Sequence, residues 1–164
     1  MKNLNFLSLL NAALITDLII VSLALMGILN GNALTSWYKK FGLGAFMADV
    51  LSLMIGIIIA FFIYKFVKKE NQHPLLFLFI VVCVQLTHDL LFGLFVNNYK
   101  GNSEFLNVFK LYIKEVGFKI LIFDALMVIS TVLFQNLLLT MNQTTNIILL
   151  IVLLYLTPYL VFSI

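Results

Sequence analysis

Four carboxylates stand inside the apolar runs of this sequence. Asp17, Asp49, Asp89 and Asp124 are all the aspartates of the chain, and one lies in each of its first four apolar runs. A carboxylate at the centre of a membrane helix costs about 2.5–3.5 kcal/mol on insertion scales. One in each of four successive runs is poorly explained by chance. We therefore interpret the four as parts of one shared site that binds protons or a cation.

The chemistry of such a site follows from charge crowding. Four carboxylates that meet in a low-dielectric interior cannot all stay ionised, so they share protons or bind a cation. His88, beside Asp89, is the nearby side chain that can become cationic. The predicted ion- or proton-binding set is Asp17, Asp49, His88, Asp89, Asp124, Gln85, Ser52 and Thr131. If a metal ion is bound, the expected ligands are Asp49, His88, Asp89 and Asp124.

The composition indicates which elements hold these residues. The 164 residues are 63% hydrophobic and 10% charged, and the mean hydropathy is +1.11, whereas soluble proteins average about 45–50% apolar and about 25% charged residues. Runs of about 20 apolar residues with short connections predict transmembrane helices. We expect an all-α, polytopic transmembrane helix bundle in which residues 1–164 form a single transmembrane domain. The five spans are predicted at about 4–29, 42–64, 75–96, 118–139 and 147–164.

Small residues share a helix face with the aspartates, as closely packed membrane helices require. In the second span this face carries Ala45, Asp49, Ser52, Gly56 and Ala60. Five spans place the amino terminus and the second and fourth loops on one side, face X, and the first and third loops on the other, face Y. At a rise of 1.5 Å per residue, three aspartates lie about 10–12 Å below face Y, and Asp17 about 18 Å below it.

The loops and the last span carry further predictions. Residues 103–116 form an amphipathic pattern, which predicts an interfacial helix capped by Asn102 or Ser103 and ended by Gly117. Trp37, Tyr38, Lys39 and Lys40 are expected as a headgroup anchor in the first loop, and Lys68, Lys69 and Glu70 as a charged connection in the second. The fifth span has no acidic residue, so we expect it to pack on the outside or to form a homo-oligomer.

Charge and cysteine content exclude several classes of function. The net charge of +3 comes from ten lysines without any arginine, which argues against nucleic-acid binding and against an arginine voltage sensor. Cys83 has no partner for an internal disulfide. Ser52, Ser130 and Cys83 lack a paired base at recognisable spacing. We expect no cofactor other than a bound proton or cation.

Three hypotheses for the function remain open. In the first, the protein is a channel or transporter for protons or small cations in a lipid bilayer. In the second, it is a non-enzymatic structural or assembly protein, whose aspartates form a polar packing core. In the third, a carboxylate and histidine metal site makes it a membrane enzyme.

Five short stretches between residues 85 and 127 carry a resemblance. They are Gln85-Leu86-Thr87-His88-Asp89, Lys100-Gly101-Asn102, Phe109-Lys110-Leu111-Tyr112, Glu115-Val116-Gly117 and Asp124-Ala125-Leu126-Met127. These stretches resemble small multi-span membrane proteins encoded by large DNA viruses of algae and other protists. The resemblance implies a host-cell or virion membrane as the location, and it implies no particular activity.

Overall fold

The computed structural model describes residues 4–29, 31–67 and 73–164, and within these ranges the chain is all-helical. The helices are α1 (Phe6–Leu25), α2 (Asn32–Phe41), α3 (Leu43–Val67), α4 (Pro74–Asn98), α5 (Glu104–Val116), α6 (Lys119–Leu138) and α7 (Gln143–Val161). Five of them, α1, α3, α4, α6 and α7, are long and apolar enough to cross a membrane. The predicted fold class is therefore confirmed, and the chain is a polytopic membrane protein. The charged connection predicted at Lys68, Lys69 and Glu70 lies outside the described residues.

The four aspartate-bearing helices form one bundle. Helix α1 packs against α3 and α6, and α4 packs against the same two helices. Helix α7 packs on α1 and α3 at the outside of this bundle. Along α3, Ala45, Gly56 and Ala60 are buried, whereas Ile55 and Phe62 are exposed. Small residues thus pack against the neighbouring helices, together with large ones such as Phe46 and Ile57, which are both 0% exposed.

The end of α1 differs from its predicted position and changes the depth of Asp17. The helix ends at Leu25 instead of residue 29, because Gly27 takes a φ of 69°, which an L side chain rarely adopts. Asp17 consequently lies about 12 Å, not 18 Å, from the face Y end of its helix. This places it at a depth similar to that of Asp49 and Asp89.

Two short helices, α2 and α5, lie against each other at face Y, and we call this pair the lid. Both oxygens of Glu115, at the end of α5, accept hydrogen bonds from the backbone amides of Asn32 and Ala33, at the start of α2 (2.9 and 2.8 Å). At the opposite end, Lys40 pairs with Glu104 at 2.6 Å. The lid helices are therefore antiparallel.

The lid confirms one prediction and corrects another. Helix α5 matches the predicted amphipathic helix, and the Ser103 side chain caps it by accepting from the amide of Leu106. Residues 32–41 were expected to form a loop, but they form α2. Trp37 and Tyr38 were expected at the headgroups, but they are only 5% and 1% exposed. They can be buried because carboxylates inside the bundle accept hydrogen bonds from their polar atoms.

The first six helices repeat one arrangement. In α1–α2–α3 and in α4–α5–α6, a spanning helix is followed by a lid helix and then by a second spanning helix. Each lid helix ends at a glycine of positive φ, Gly42 (50°) or Gly117 (61°). The next spanning helix carries its aspartate two turns later, at Asp49 or Asp124. Exchanging the two units converts the α1–α6 contact into the α4–α3 contact, so each unit packs on the other through equivalent helices.

Candidate functional site

Tyr38 joins two of the four aspartates. Its hydroxyl lies 3.2 Å from Oδ1 of Asp17, in α1, and 3.2 Å from Oδ2 of Asp49, in α3. Asp17 is 0% exposed, and its Oδ2 has no hydrogen-bond partner among the described residues. The lid thus inserts one phenol between the carboxyls of two spanning helices.

The hydrogen count of this group bears on where a proton lies. A phenol has a single hydrogen and donates one hydrogen bond at a time. Both contacts of Tyr38 are hydrogen bonds only if one of the two carboxyls carries a hydrogen. Asp49 Oδ2 also accepts from the indole Nε1 of Trp37 at 3.1 Å. When Tyr38 donates to Asp49, Asp17 completes the group as a carboxylic acid that donates to the phenol oxygen.

The phenol itself stays protonated. Burial, and then the charges of Asp17 and Asp49, raise the pKa of the Tyr38 hydroxyl well above its ordinary value. Tyr38 can therefore accept a hydrogen on one side and release one on the other, but it does not rest as a phenolate.

Asp89 belongs to a second group. Its Oδ1 accepts from Nε2 of Gln85 at 2.7 Å and lies 3.1 Å from Nδ1 of His88. Gln85 is buried, whereas the His88 side chain is 50% exposed. His88 and Ser52 line an outward-facing cleft of about 250 Å³ between α3 and α4. The structure therefore places these two predicted site residues at the edge of the bundle, not at its centre.

Asp124 lies near both groups without a hydrogen bond to either. It is within the range of Coulombic interaction with Asp89 and Asp49. Burial, and then the charges of Asp124, Asp49 and Glu115, raise the pKa of the Tyr112 hydroxyl in the lid above its ordinary value, so these charges lie within Coulombic range of it. The four carboxyls thus occupy one region at face Y, but they form two hydrogen-bonded groups with Asp124 beside them.

The geometry gives little support to a metal centre. In the part of the chain that the structure describes, no three His, Cys, Asp or Glu side chains are grouped closely enough to hold a metal ion. The set expected for a metal, Asp49, His88, Asp89 and Asp124, is divided between the groups described above. Proton sharing through hydrogen bonds is the chemistry that the arrangement supports.

Aromatic side chains of the lid cover the site on face Y. The Trp37 ring meets Phe105 and Phe109 edge to face, at centroid distances of 4.5 and 4.8 Å. Phe109 meets Phe92 of α4 at 5.0 Å. This apolar layer separates the carboxyls from the surface of the bundle.

A second polar region lies on the face X side of the aspartates. Thr131, a predicted site residue, is buried and contacts Thr16 at 3.0 Å between hydroxyl oxygens. Beyond it lie buried Asn11, Gln135 and Asn146. None of these three amides was among the predicted site residues. Asn146 was placed in a loop because span five was expected to begin at residue 147, but α7 begins at Gln143 and is capped by the Asn142 side chain.

No protein-family model, curated protein or solved structure matches this chain.

Proposed function

We propose that the protein translocates protons across the membrane through Asp17, Tyr38 and Asp49. The observation that carries this proposal is the single phenol held 3.2 Å from each of two carboxyls. Carboxylates on facing helices inside a bundle are the groups from which membrane proton relays are built.

The relay step balances without any other reactant. The O–H bond of Asp17 breaks as its proton passes to the Tyr38 oxygen, and the original phenol proton passes to Oδ2 of Asp49. Tyr38 is unchanged afterwards, Asp49 is neutral and Asp17 carries the negative charge. One proton has then moved from α1 to α3. Asp124, at a similar depth in α6 and within Coulombic range of Asp49, can receive it next.

The position of the lid determines whether the proton on Asp49 can be released at face Y. Trp37 donates to the same oxygen of Asp49 that receives the proton, and the aromatic layer covers this oxygen. A movement of the lid that withdraws Trp37 and Tyr38 opens Asp49 to face Y and interrupts the contact with Asp17. We therefore propose alternating access, in which the relay and the exit are not open together.

Proton flux into proteoliposomes tests the proposal. Purified protein is reconstituted with an internal pH dye, and a potassium diffusion potential drives protons inward. We expect flux from the wild type and its loss in Asp17→Asn and Asp49→Asn. Glu104→Gln is the matched control, because it removes a carboxylate whose side chain is 70% exposed on the lid. Wild-type flux no greater than that of Asp17→Asn or of empty liposomes would refute the proposal.

A sodium-sensitive dye in the same liposomes separates protons from small cations. A sodium pathway gives a signal with external sodium, whereas a proton pathway does not. We expect no sodium signal, because the described residues bring only two carboxyls onto one hydrogen-bonded group, whereas a bare cation takes six or more oxygen ligands in calcium and magnesium sites.

A second candidate function is structural, and the polar contacts between helices favour it. Thr16 and Thr131 join α1 to α6, and Asn11 and Asn146 join α1 to α7. In that case the aspartates specify helix packing, and the protein shapes a host-cell or virion membrane, the location implied by the viral resemblance. A variant with asparagine at all four aspartates would then fold and assemble as the wild type does, and neither protein would conduct protons.

A further inference from the structure

Gln135 is an exception to the rule that buried polar groups are paired. It lies in α6, is 0% exposed, and neither Oε1 nor Nε2 has a hydrogen-bond partner among the described residues. An unpaired buried amide destabilises a fold, since it has lost its hydration without a replacement. A side chain in this position indicates a bound group that supplies the missing hydrogen bonds.

Asn11 and Asn146 form the neighbouring part of the same region. Nδ2 of Asn11 donates to the backbone oxygen of Asn146 at 2.8 Å. Nδ2 of Asn146 in turn donates to the backbone oxygen of Leu138 at 3.0 Å. Asn11 is 0% exposed, and its Oδ1 has no partner in the described part of the chain.

The register of α1 against α6 brings Gln135 to the level of Asn11. Thr16 and Thr131 are in contact, and the two helices are antiparallel. Asn11 lies about 7.5 Å from Thr16 and Gln135 about 6 Å from Thr131, both towards face X. The two amides therefore differ in depth by about one residue. Thr131 lies on the face of α6 that contacts α1. Gln135 lies on the same face, because it is four residues, or about one helical turn, further along.

We infer that Asn11, Gln135 and Asn146 form a water-binding site near face X, and that the water is the entrance of the proton route. The donors and acceptors select water over a bare cation. Gln135 Nε2 needs an acceptor, while Gln135 Oε1 and Asn11 Oδ1 need donors. A water molecule offers both, and buried waters make two to four such bonds. A cation satisfies the oxygens but repels the amide hydrogens.

The site lies in line with the relay. The hydroxyls of Thr16 and Thr131 lie between it and Asp17, whose Oδ2 is buried and unpartnered among the described residues. Hydroxyls accept and donate hydrogen bonds, so they can connect bound water to that carboxyl. This role in the route rests on the proposed function, whereas the binding of water does not.

Water-edited solid-state NMR in lipid bilayers tests the site directly. The protein is labelled with ¹⁵N in the glutamine side chains, and magnetisation is transferred from water to the amide protons. Gln135→Asn removes one signal and so assigns it. We expect transfer to Gln135 at the rate seen for Gln143, which is exposed at the start of α7. Magnetisation transfer from water to Gln135 that is no faster than transfer to the apolar core would refute the water-binding site.

Flux measurement of Gln135→Leu tests the role of the site in the route. Leucine has a similar volume and no polar atom, so the site loses its water. We expect most of the wild-type flux to be lost, while Gln143→Leu, the matched exposed change, conducts normally. Undiminished flux in Gln135→Leu would exclude the site from the route. A wild type without flux but with water transfer to Gln135 would refute the proposed function and leave the water site intact.

Discussion

Replacing Tyr38 by phenylalanine removes one oxygen atom from the middle of the relay and keeps the ring. In the wild type this oxygen lies 3.2 Å from each of the two carboxyls. Without it, the facing oxygens of Asp17 and Asp49 are separated by up to twice that distance, well beyond a direct hydrogen bond. Asp17 is then left without any hydrogen-bond partner among the described residues, since its Oδ2 has none in the wild type.

The expected size of the effect follows from the lost bonds. A hydrogen bond to a charged group contributes about 1.5–3 kcal/mol. If this is lost from the transfer step, the proton flux falls by about 10- to 150-fold. The free energy of unfolding should fall by a similar amount, about 1.5–3 kcal/mol, since Tyr38 is buried.

Two measurements check this prediction. Flux is measured in proteoliposomes as above. Unfolding is followed by the fluorescence of Trp37, the only tryptophan of the chain, which packs in the lid beside Tyr38. Tyr155→Phe is the matched control, because this hydroxyl is exposed on α7 and its one hydrogen-bond partner among the described residues is the hydroxyl of Tyr159, at 3.4 Å. A folded Tyr38→Phe variant with wild-type flux would refute the relay.

Two further predictions concern the lid. Glu115→Gln should lower the free energy of unfolding by about 1 kcal/mol, because the carboxylate caps α2 with two hydrogen bonds. Glu104→Gln, which removes one partner of an exposed ion pair, should change the free energy of unfolding by less than about 0.5 kcal/mol. Equal effects of the two substitutions would contradict the capping role of Glu115. Gly42→Ala should cost about 1–3 kcal/mol, because φ is 50° and the added Cβ would lie 2.9 Å from the Phe162 ring. Gly44→Ala, at the second residue of α3, where nothing lies within 4 Å of the added Cβ, should be neutral or stabilise by up to about 1 kcal/mol. Trp37 fluorescence in a denaturant series measures all four variants, and a harmless Gly42→Ala would refute the strain argument.

The spanning helices could be predicted from the sequence because hydropathy alone sets their number and approximate ends. The small-residue face of the second span also identified which side of α3 is buried, at Ala45, Gly56 and Ala60. What the sequence could not supply is the contact partner of each carboxyl. Asp89 and His88 are adjacent in sequence but point about 100° apart on a helix, so one is inside the bundle and the other lines an outer cleft.

The second lid helix was missed because its apolar residues were interpreted as anchors at the membrane surface. A helical signal was nevertheless present, since Ala33, Trp37 and Phe41 recur every four residues with lysines on another side. The amides at face X were missed for a different reason. Asn146 was placed in a loop, whereas Asn11 and Gln135 fell within predicted spans, and only tertiary packing shows that all three are buried.

The repeated order of α1–α2–α3 and α4–α5–α6 has a consequence for how the two halves use their polar residues. Two identical units of this kind would pair into the same four-helix interior, but the two units of this chain differ in sequence. One half now supplies Tyr38 between its acids, whereas the other supplies Gln85 and His88 to Asp89. A symmetric pair of copies would have bound the same partners twice, but a single chain can give its two halves different tasks.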